Sequence, residues 1–124
     1  MTSAFKKLLF GTGGVPESAS PSSTLAAVQQ VSRLGLDCLE IEFVKGINLP
    51  SDSCQKIKEE AKIHSVSLSV HAPYYVNLNS AEAGKRLSSQ ERLLSSARMA
   101  VKCGAESVIF HAGYYGNDSP EKAF

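Results

Sequence analysis

The sequence predicts an α/β chain of parallel β/α units, half of an eight-stranded (β/α)8 barrel, with about four strands and three helices. Three observations carry this expectation. Short apolar runs alternate with longer amphipathic stretches, at a period of ~30–36 residues that marks one repeated supersecondary unit. Two of the runs, Ser67-Leu68-Ser69-Val70-His71 and Ser107-Val108-Ile109-Phe110-His111, end alike, in His-Ala followed by Pro73 or Gly113. A third run alternates Leu39, Ile41 and Phe43 with Glu40 and Glu42. A sheet covered on both faces tolerates few unpaired charges, whereas the mouth of a barrel holds polar groups that meet ligands and water. Right-handed crossovers make the sheet parallel. A complete barrel takes ~250 residues, so the 124 residues make one partial domain over 1–124 with no second domain.

Each element has a local reason. Residues 8–12 read as a first strand running into Gly11, Gly13 and Gly14, a tight turn near the barrel mouth. These glycines lack the G-x-G-x-x-G spacing of a dinucleotide site. Ser22, Ser23 or Thr24 caps a helix whose apolar stripe is Leu25, Val28, Val31 and Leu34, with Gly35 as its stop. After the second strand, Pro50-Ser51-Asp52 opens a helix with Cys54, Ile57 and Ala61 on its buried stripe and His64 on the same stripe at its last turn. The third strand spans 67–71. The next helix starts within 82–88, where Ser88 and Glu91 have capping-box spacing, and runs to Lys102 before Gly104. The fourth strand spans 107–111, and the tail from Gly116 reads as a loop and the start of a helix.

Composition narrows the class without naming a function. With 43% apolar and 20% charged residues and a net charge of +1, the chain is of ordinary globular type. No apolar run approaches the ~20 residues that span a bilayer. The basic start runs into glycines without a signal-peptide core, so a cytoplasmic protein without membrane contact is expected. Cys38, Cys54 and Cys103 are odd in number, lack metal-type spacing and read as reduced thiols. The near-neutral charge neither requires nor excludes a nucleic-acid partner.

The chemistry concentrates at the strand ends. Strand side chains alternate faces, so His71 shares a face with Ser69 and Ser67, and His111 with Ile109 and Ser107. If these strands are neighbours, about 4.8 Å apart, the imidazoles sit side by side at the carboxyl edge. There both can reach one metal at roughly 2.0–2.1 Å. Zinc fits such a pair, and manganese and iron stay open. The bland alternative is two core histidines bonded to backbone carbonyls. Glu42 ends the second strand on the His71 side and can ligate the metal or orient His71 through a hydrogen bond. Glu40 lies deeper on that face and suits a buried polar network. Tyr74, Tyr75, Tyr114 and Tyr115 follow the third and fourth strands, where aromatic rings can stack on or wedge into a distorted duplex. Lys45 in the loop after the second strand can contact a phosphate. His64 near a helix C-terminus needs no role beyond the helix dipole.

At these histidines the sequence resembles the endonuclease IV family of apurinic/apyrimidinic DNA-repair enzymes, in the archaeal-type branch of the xylose-isomerase-like TIM barrel superfamily. The matching stretches are 10–16 (FGTGGVP), 35–46 (GLDCLEIEFVKG), 69–78 (SVHAPYYVNL) and 108–116 (VIFHAGYYG), which extend over nearly the whole chain. The resemblance implies the N-terminal half of a TIM barrel that binds three zinc ions and hydrolyses the DNA phosphodiester 5′ to an abasic site, as in base excision repair. His71 and His111 match two histidine ligands of one zinc. Tyr74 matches a tyrosine of the loop that engages DNA, and Tyr75 stands where other branches carry a leucine. The remaining ligands of that family come from strands five to eight, so at most one partial zinc site is expected here. The 124-residue chain alone is then expected to be inactive. The family takes no ligand from the second strand, which favours the orienting role for Glu42.

Two other functions compete: a sugar isomerase or epimerase on the same barrel, and a catalytically inactive fragment. A sugar site would rely on carboxylate ligands, for which Glu42 is the candidate. The expected partners are damaged double-stranded DNA and the missing C-terminal half. Self-association through the open edges at 8–12 and 107–111 is the substitute for that half, with Ile109 and Leu and Val neighbours expected on the uncovered inner face.

Overall fold

The computed structural model describes residues 8–44, 46–47 and 49–124. The start at 1–7, where a signal-peptide core was sought, and the predicted phosphate contact Lys45 lie outside the described residues. The elements run β1 (Gly11–Gly13), α1 (Thr24–Arg33), β2 (Cys38–Glu42), α2 (Ser51–Ile63), β3 (Ser67–His71), α3 (Ala83–Cys103), β4 (Ser107–Ile109) and a short α4 (Pro120–Ala123). The strands form one sheet in the order β1-β2-β3-β4, with every neighbouring pair parallel.

Spatial order and chain order coincide, so every crossover steps in the same direction. Right-handed crossovers then lay α1, α2 and α3 on one face of the sheet, whereas a doubly wound sheet requires strand order to reverse. The winding is that of a barrel wall. Burial agrees with it. Leu39, Ile41, Phe43, Leu68 and Val70 are buried against Val28 and Val31 of α1, Ile57 of α2 and Ala100 of α3. The alternate residues Cys38, Glu40, Ser67, Ser69 and His71 face the other way and are only half-buried, with Glu42 exposed. The Leu and Val neighbours expected beside Ile109 on this inner face are therefore not there, because period-2 alternation sends all of them to the helices.

Element ends depart from expectation where a ladder lacks its partner. The first strand is 11–13 instead of 8–12, so Gly11 and Gly13 belong to the strand and not to a turn after it. Its pairing begins at Gly11 opposite Cys38, the point at which the chain after Gly35 becomes extended. The fourth strand ends at Ile109 and not at 111. Ala72 donates to the Ile109 carbonyl at 2.8 Å, and its own carbonyl lies 2.8 Å from His71 Nδ1. Helix α3 begins at Ala83, so Ser88 and Glu91 lie inside it and form no capping box. Its first turn is held instead by Arg86, which donates to the carbonyls of Ser80 (2.6 Å) and Ala81 (3.1 Å).

Most other local expectations hold. Ser23 caps α1 by accepting from the Ala26 N–H at 3.2 Å. Leu34, at the C-cap, turns out to solvent instead of completing the buried stripe. Cys54, Ile57 and Ala61 are the buried residues of α2. His64 caps that helix outside the core, its Nε2 3.0 Å from Glu60 Oε1. Gly104 stops α3 at φ 75°, a left-handed conformation that glycine adopts without cost. Among the described residues no helix is long and apolar enough to cross a membrane.

Candidate metal centre

The site is built where β3 and β4 leave the sheet. His71 is the last residue of β3, opposite Ile109 in the parallel register, and His111 lies two positions beyond Ile109 on the same edge. The two imidazoles face each other with ring centroids 5.4 Å apart and planes inclined by 47°. Two imidazoles sharing one tetrahedral zinc at roughly 2.0–2.1 Å per nitrogen would have centroids about 5.2 Å apart. The observed spacing fits such an ion. The His71 ring is fixed as well. Its Nδ1 lies 2.8 Å from the Ala72 carbonyl, which can only accept, so Nδ1 carries the proton and Nε2 keeps its lone pair. A histidine held in this way presents one defined nitrogen to a metal. His111 is exposed.

The other predicted site residues are distributed around this pair. Glu42 is the register partner of His71 across the β2–β3 ladder. Its carboxylate lies over the β1 turn, where a Cβ on Gly14 would stand 3.2 Å from Oε2. The acceptor that orients His71 is thus the Ala72 carbonyl, and Glu42 adds a carboxylate at the same edge. Glu40 is one row deeper, level with Gly13 and Ser69. Among the described residues no group of three His, Cys, Asp or Glu side chains is placed to hold a metal. At the base of the inner face, burial first, and then the Asp37 charge, push the Cys38 thiol above the ordinary range.

Tyr74, Tyr75, Tyr114 and Tyr115 are all exposed on the loops after β3 and β4. Tyr75 is the most constrained of them. The Arg92 guanidinium of α3 lies over its ring, 4.7 Å from the centroid, and donates to its carbonyl at 3.2 Å. Tyr114 and Tyr115 border a hollow of about 540 Å³ completed by Leu78, Asn79 and Phe124.

Sequence reasoning missed the residues that hold these loops, namely Arg92, Asn77, Asn79 and Ser89. Asn77, Asn79 and Ser80 together signal turn-forming side chains. Their partners lie up to 39 residues away (Asn79 with Asp118), which local pattern does not reveal. Lys122, first of all, holds the Asp118 carboxyl below its usual range, and Asn79 adds to it.

Known proteins are similar to this chain. The family model described as xylose isomerase-like TIM barrel matches residues 28–124. An uncharacterized protein of Methanocaldococcus jannaschii is 38% identical over 117 residues, covering 94% of this chain and 41% of the relative. A Mycobacterium tuberculosis protein named "Probable endonuclease 4" is 33% identical over 103 residues, covering 81% of this chain and 38% of that one. The chain thus spans about two-fifths of the length of the curated relatives it matches. Among solved structures, endonuclease IV from Thermus thermophilus superposes with a TM-score of 0.70 at 21% identity, over 91% of this chain and 43% of that one. A D-psicose 3-epimerase solved in the presence of D-fructose superposes with a TM-score of 0.67 at 16% identity, over 90% and 42%. At these identities the superpositions establish the fold, that of the N-terminal part of a TIM barrel.

Proposed function

The chain belongs to the xylose isomerase-like TIM barrel family, and on that footing we propose that it is the N-terminal part of a zinc-dependent enzyme like endonuclease IV. The whole enzyme hydrolyses the DNA phosphodiester 5′ to abasic sites. The observation that carries this reading is the facing pair His71 and His111, 5.4 Å apart at the strand ends. The relatives named "Probable endonuclease 4" and the DNA-engaging tyrosine loop implied by the resemblance support it. His71 and His111 would hold one zinc, with further ligands from residues beyond this partial domain. Such an ion supplies Lewis acidity toward a phosphoryl oxygen and a nucleophile at neutral pH.

The chain's own residues do the rest. Ala72 fixes the His71 tautomer. Glu42 keeps negative charge at the edge where a cation sits. Tyr74 and Tyr75 bear on a distorted duplex, Tyr75 with its ring held by Arg92, and Lys45 contacts a phosphate. The protein works in the cytoplasm.

The test has two arms. Zinc is titrated into the 124-residue chain and into His71→Ala/His111→Ala. The wild type binds weakly and the double variant does not, so equal affinity removes the site. The protein supplied with its remaining β/α units nicks abasic duplex DNA and is silenced by chelator. His111→Ala lowers that rate more than tenfold, and the 124-residue chain alone stays at background. Undiminished nicking by His111→Ala refutes the assignment. A second reading, sugar epimerisation, draws on the likeness to D-psicose 3-epimerase and on Glu40 and Glu42 along the inner face. Turnover of a ketohexose without DNA cleavage would establish it instead.

A further inference from the structure

We propose that Asn77 and Asn79 are positioning residues that clamp the segment after β4 to the loop after β3, so that His111 is presented to His71. The metal role of the pair rests on the function proposed above, but the clamp itself does not. His111 stands beyond the last ladder residue of β4, where pairing has ended at Ile109. What holds the chain immediately after it is a set of bonds from one short loop. The Leu78 N–H donates to the Ala112 carbonyl at 2.8 Å. Asn77 Oδ1 accepts from the Tyr114 N–H at 3.4 Å and from the Asn79 N–H at 3.1 Å. Asn79 Nδ2 donates to the carbonyls of Tyr114 (3.0 Å) and Tyr115 (3.2 Å).

The backbone passes closely here. A Cβ on Gly113 would stand 2.5 Å from Asn77 Oδ1 and 3.2 Å from the Leu78 nitrogen, and φ is 150°. The clamp is anchored from behind. The Asn77 N–H donates to Ser89 Oγ at 2.9 Å, and the buried Ser89 hydroxyl donates to the Lys85 carbonyl of α3 at 2.8 Å. His111 is therefore set by β4 on one side and by the asparagines on the other, while His71 is set by β3 and its own Ala72 contact. A shared ion tolerates only about ±0.2 Å in each metal–nitrogen distance. Loosening the clamp separates the pair by moving His111 alone.

The chemistry of the clamp tells its variants apart. Both bonds at the Asn77 side chain are accepted by Oδ1. Asn77→Asp keeps that acceptor and Asn77→Ala loses it, while Asn79→Ala removes the donations to the Tyr114 and Tyr115 carbonyls and the contact with Asp118. In the full 124-residue chain without metal, proton NMR reads the contact between the two imidazole rings and the amide exchange rate of Tyr114. The wild type and Asn77→Asp should show the ring contact and a slow Tyr114 amide. Asn77→Ala should lose the contact and exchange Tyr114 at least tenfold faster, and Asn79→Ala should weaken the contact with the fold intact. Zinc affinity, measured in parallel, should fall in Asn77→Ala to that of His71→Ala/His111→Ala and be kept in Asn77→Asp. A folded Asn77→Ala or Asn79→Ala chain with the wild-type ring contact overturns the proposal, as does an Asn77→Asp chain that has lost it. A wild type that binds zinc no better than the double variant overturns the metal reading only, because the ring contact still decides the clamp.

Discussion

Two serines of α3, Ser89 and Ser96, are the buried polar side chains of this chain among the described residues, at 2% and 0% exposure. Replacing each by alanine should give opposite results. Each hydroxyl donates to the carbonyl four residues back, Ser89 to Lys85 (2.8 Å) and Ser96 to Arg92 (2.9 Å). Those carbonyls already accept helix bonds, so losing the donation costs little, and alanine gains about 0.5 kcal/mol in helix propensity. Ser96→Ala should thus lie within about 0.5 kcal/mol of the wild type. Ser89 alone also accepts, from the Asn77 N–H at 2.9 Å. Its removal leaves that backbone donor without a partner beside the buried Val76, a penalty of about 1–3 kcal/mol. After the propensity gain, Ser89→Ala should destabilise by about 0.5–2.5 kcal/mol, or roughly 2–10 °C in Tm for a chain of this size. Urea and thermal unfolding of the two variants measure the difference. Equal effects, or a more damaging Ser96→Ala, would refute the argument that the loop after β3 hangs on Ser89.

Two further outcomes follow from the core and from the edges. Burial first, and then the neighbouring Cys54 thiol, push the Cys103 thiol up to about 12, against ~8.5 in an unfolded chain. The folded chain thus keeps a proton that the unfolded chain releases, so its stability is complete below about pH 8.5 and falls as pH rises toward 12. Unfolding midpoints across that range should decline more steeply in the wild type than in Cys103→Ala, and an unchanged slope would exclude Cys103 as the cause. The backbone edges of Gly11–Gly13 and Ser107–Ile109 have no further strand beside them among the described residues, and such edges recruit other chains. Sedimentation of the 124-residue chain over a range of concentrations should show association. A monomer that unfolds cooperatively would mean that the four strands are complete by themselves.

The fold was legible because two independent periods agree with it. Leu39, Ile41, Leu68 and Val70 follow the strand period of two, and Val28, Val31, Cys54, Ile57 and Ala61 follow the helical one. Both sets converge on one core. What escaped local reading were boundaries that depend on a neighbour. Phe110 and His111 continue an apolar, strand-like run, yet the ladder stops before them at Ile109. Ser88 and Glu91 have the spacing of a cap, yet Arg86 holds an earlier start by reaching back to Ser80 and Ala81. For Ser88 and Glu91, a side chain reaching back five and six residues outweighs a pattern worth about 1 kcal/mol.

The site divides along the same line. The histidine pair could be read from sequence because β3 and β4 are adjacent parallel strands, although the register sets His111 two residues beyond the partner of His71. The inner face shows why that pair meets a polar environment and not a second core. Going down from His71, the sheet presents Ser69 and Ser67, and beside them Glu40 and Cys38, while every large aliphatic residue of β2 and β3 turns to the helices. A wall of this kind gains little from burying its inner side against apolar groups, since each hydroxyl and carboxylate there needs a hydrogen-bonding partner. Whatever completes the barrel must therefore bring polar side chains or water down the shaft beneath the histidines. The asparagine clamp belongs to the other category. It joins two loops through side-chain bonds between positions some 35 residues apart, and only the closed geometry of Gly113 against Asn77 shows that those loops form one unit with His111 in it.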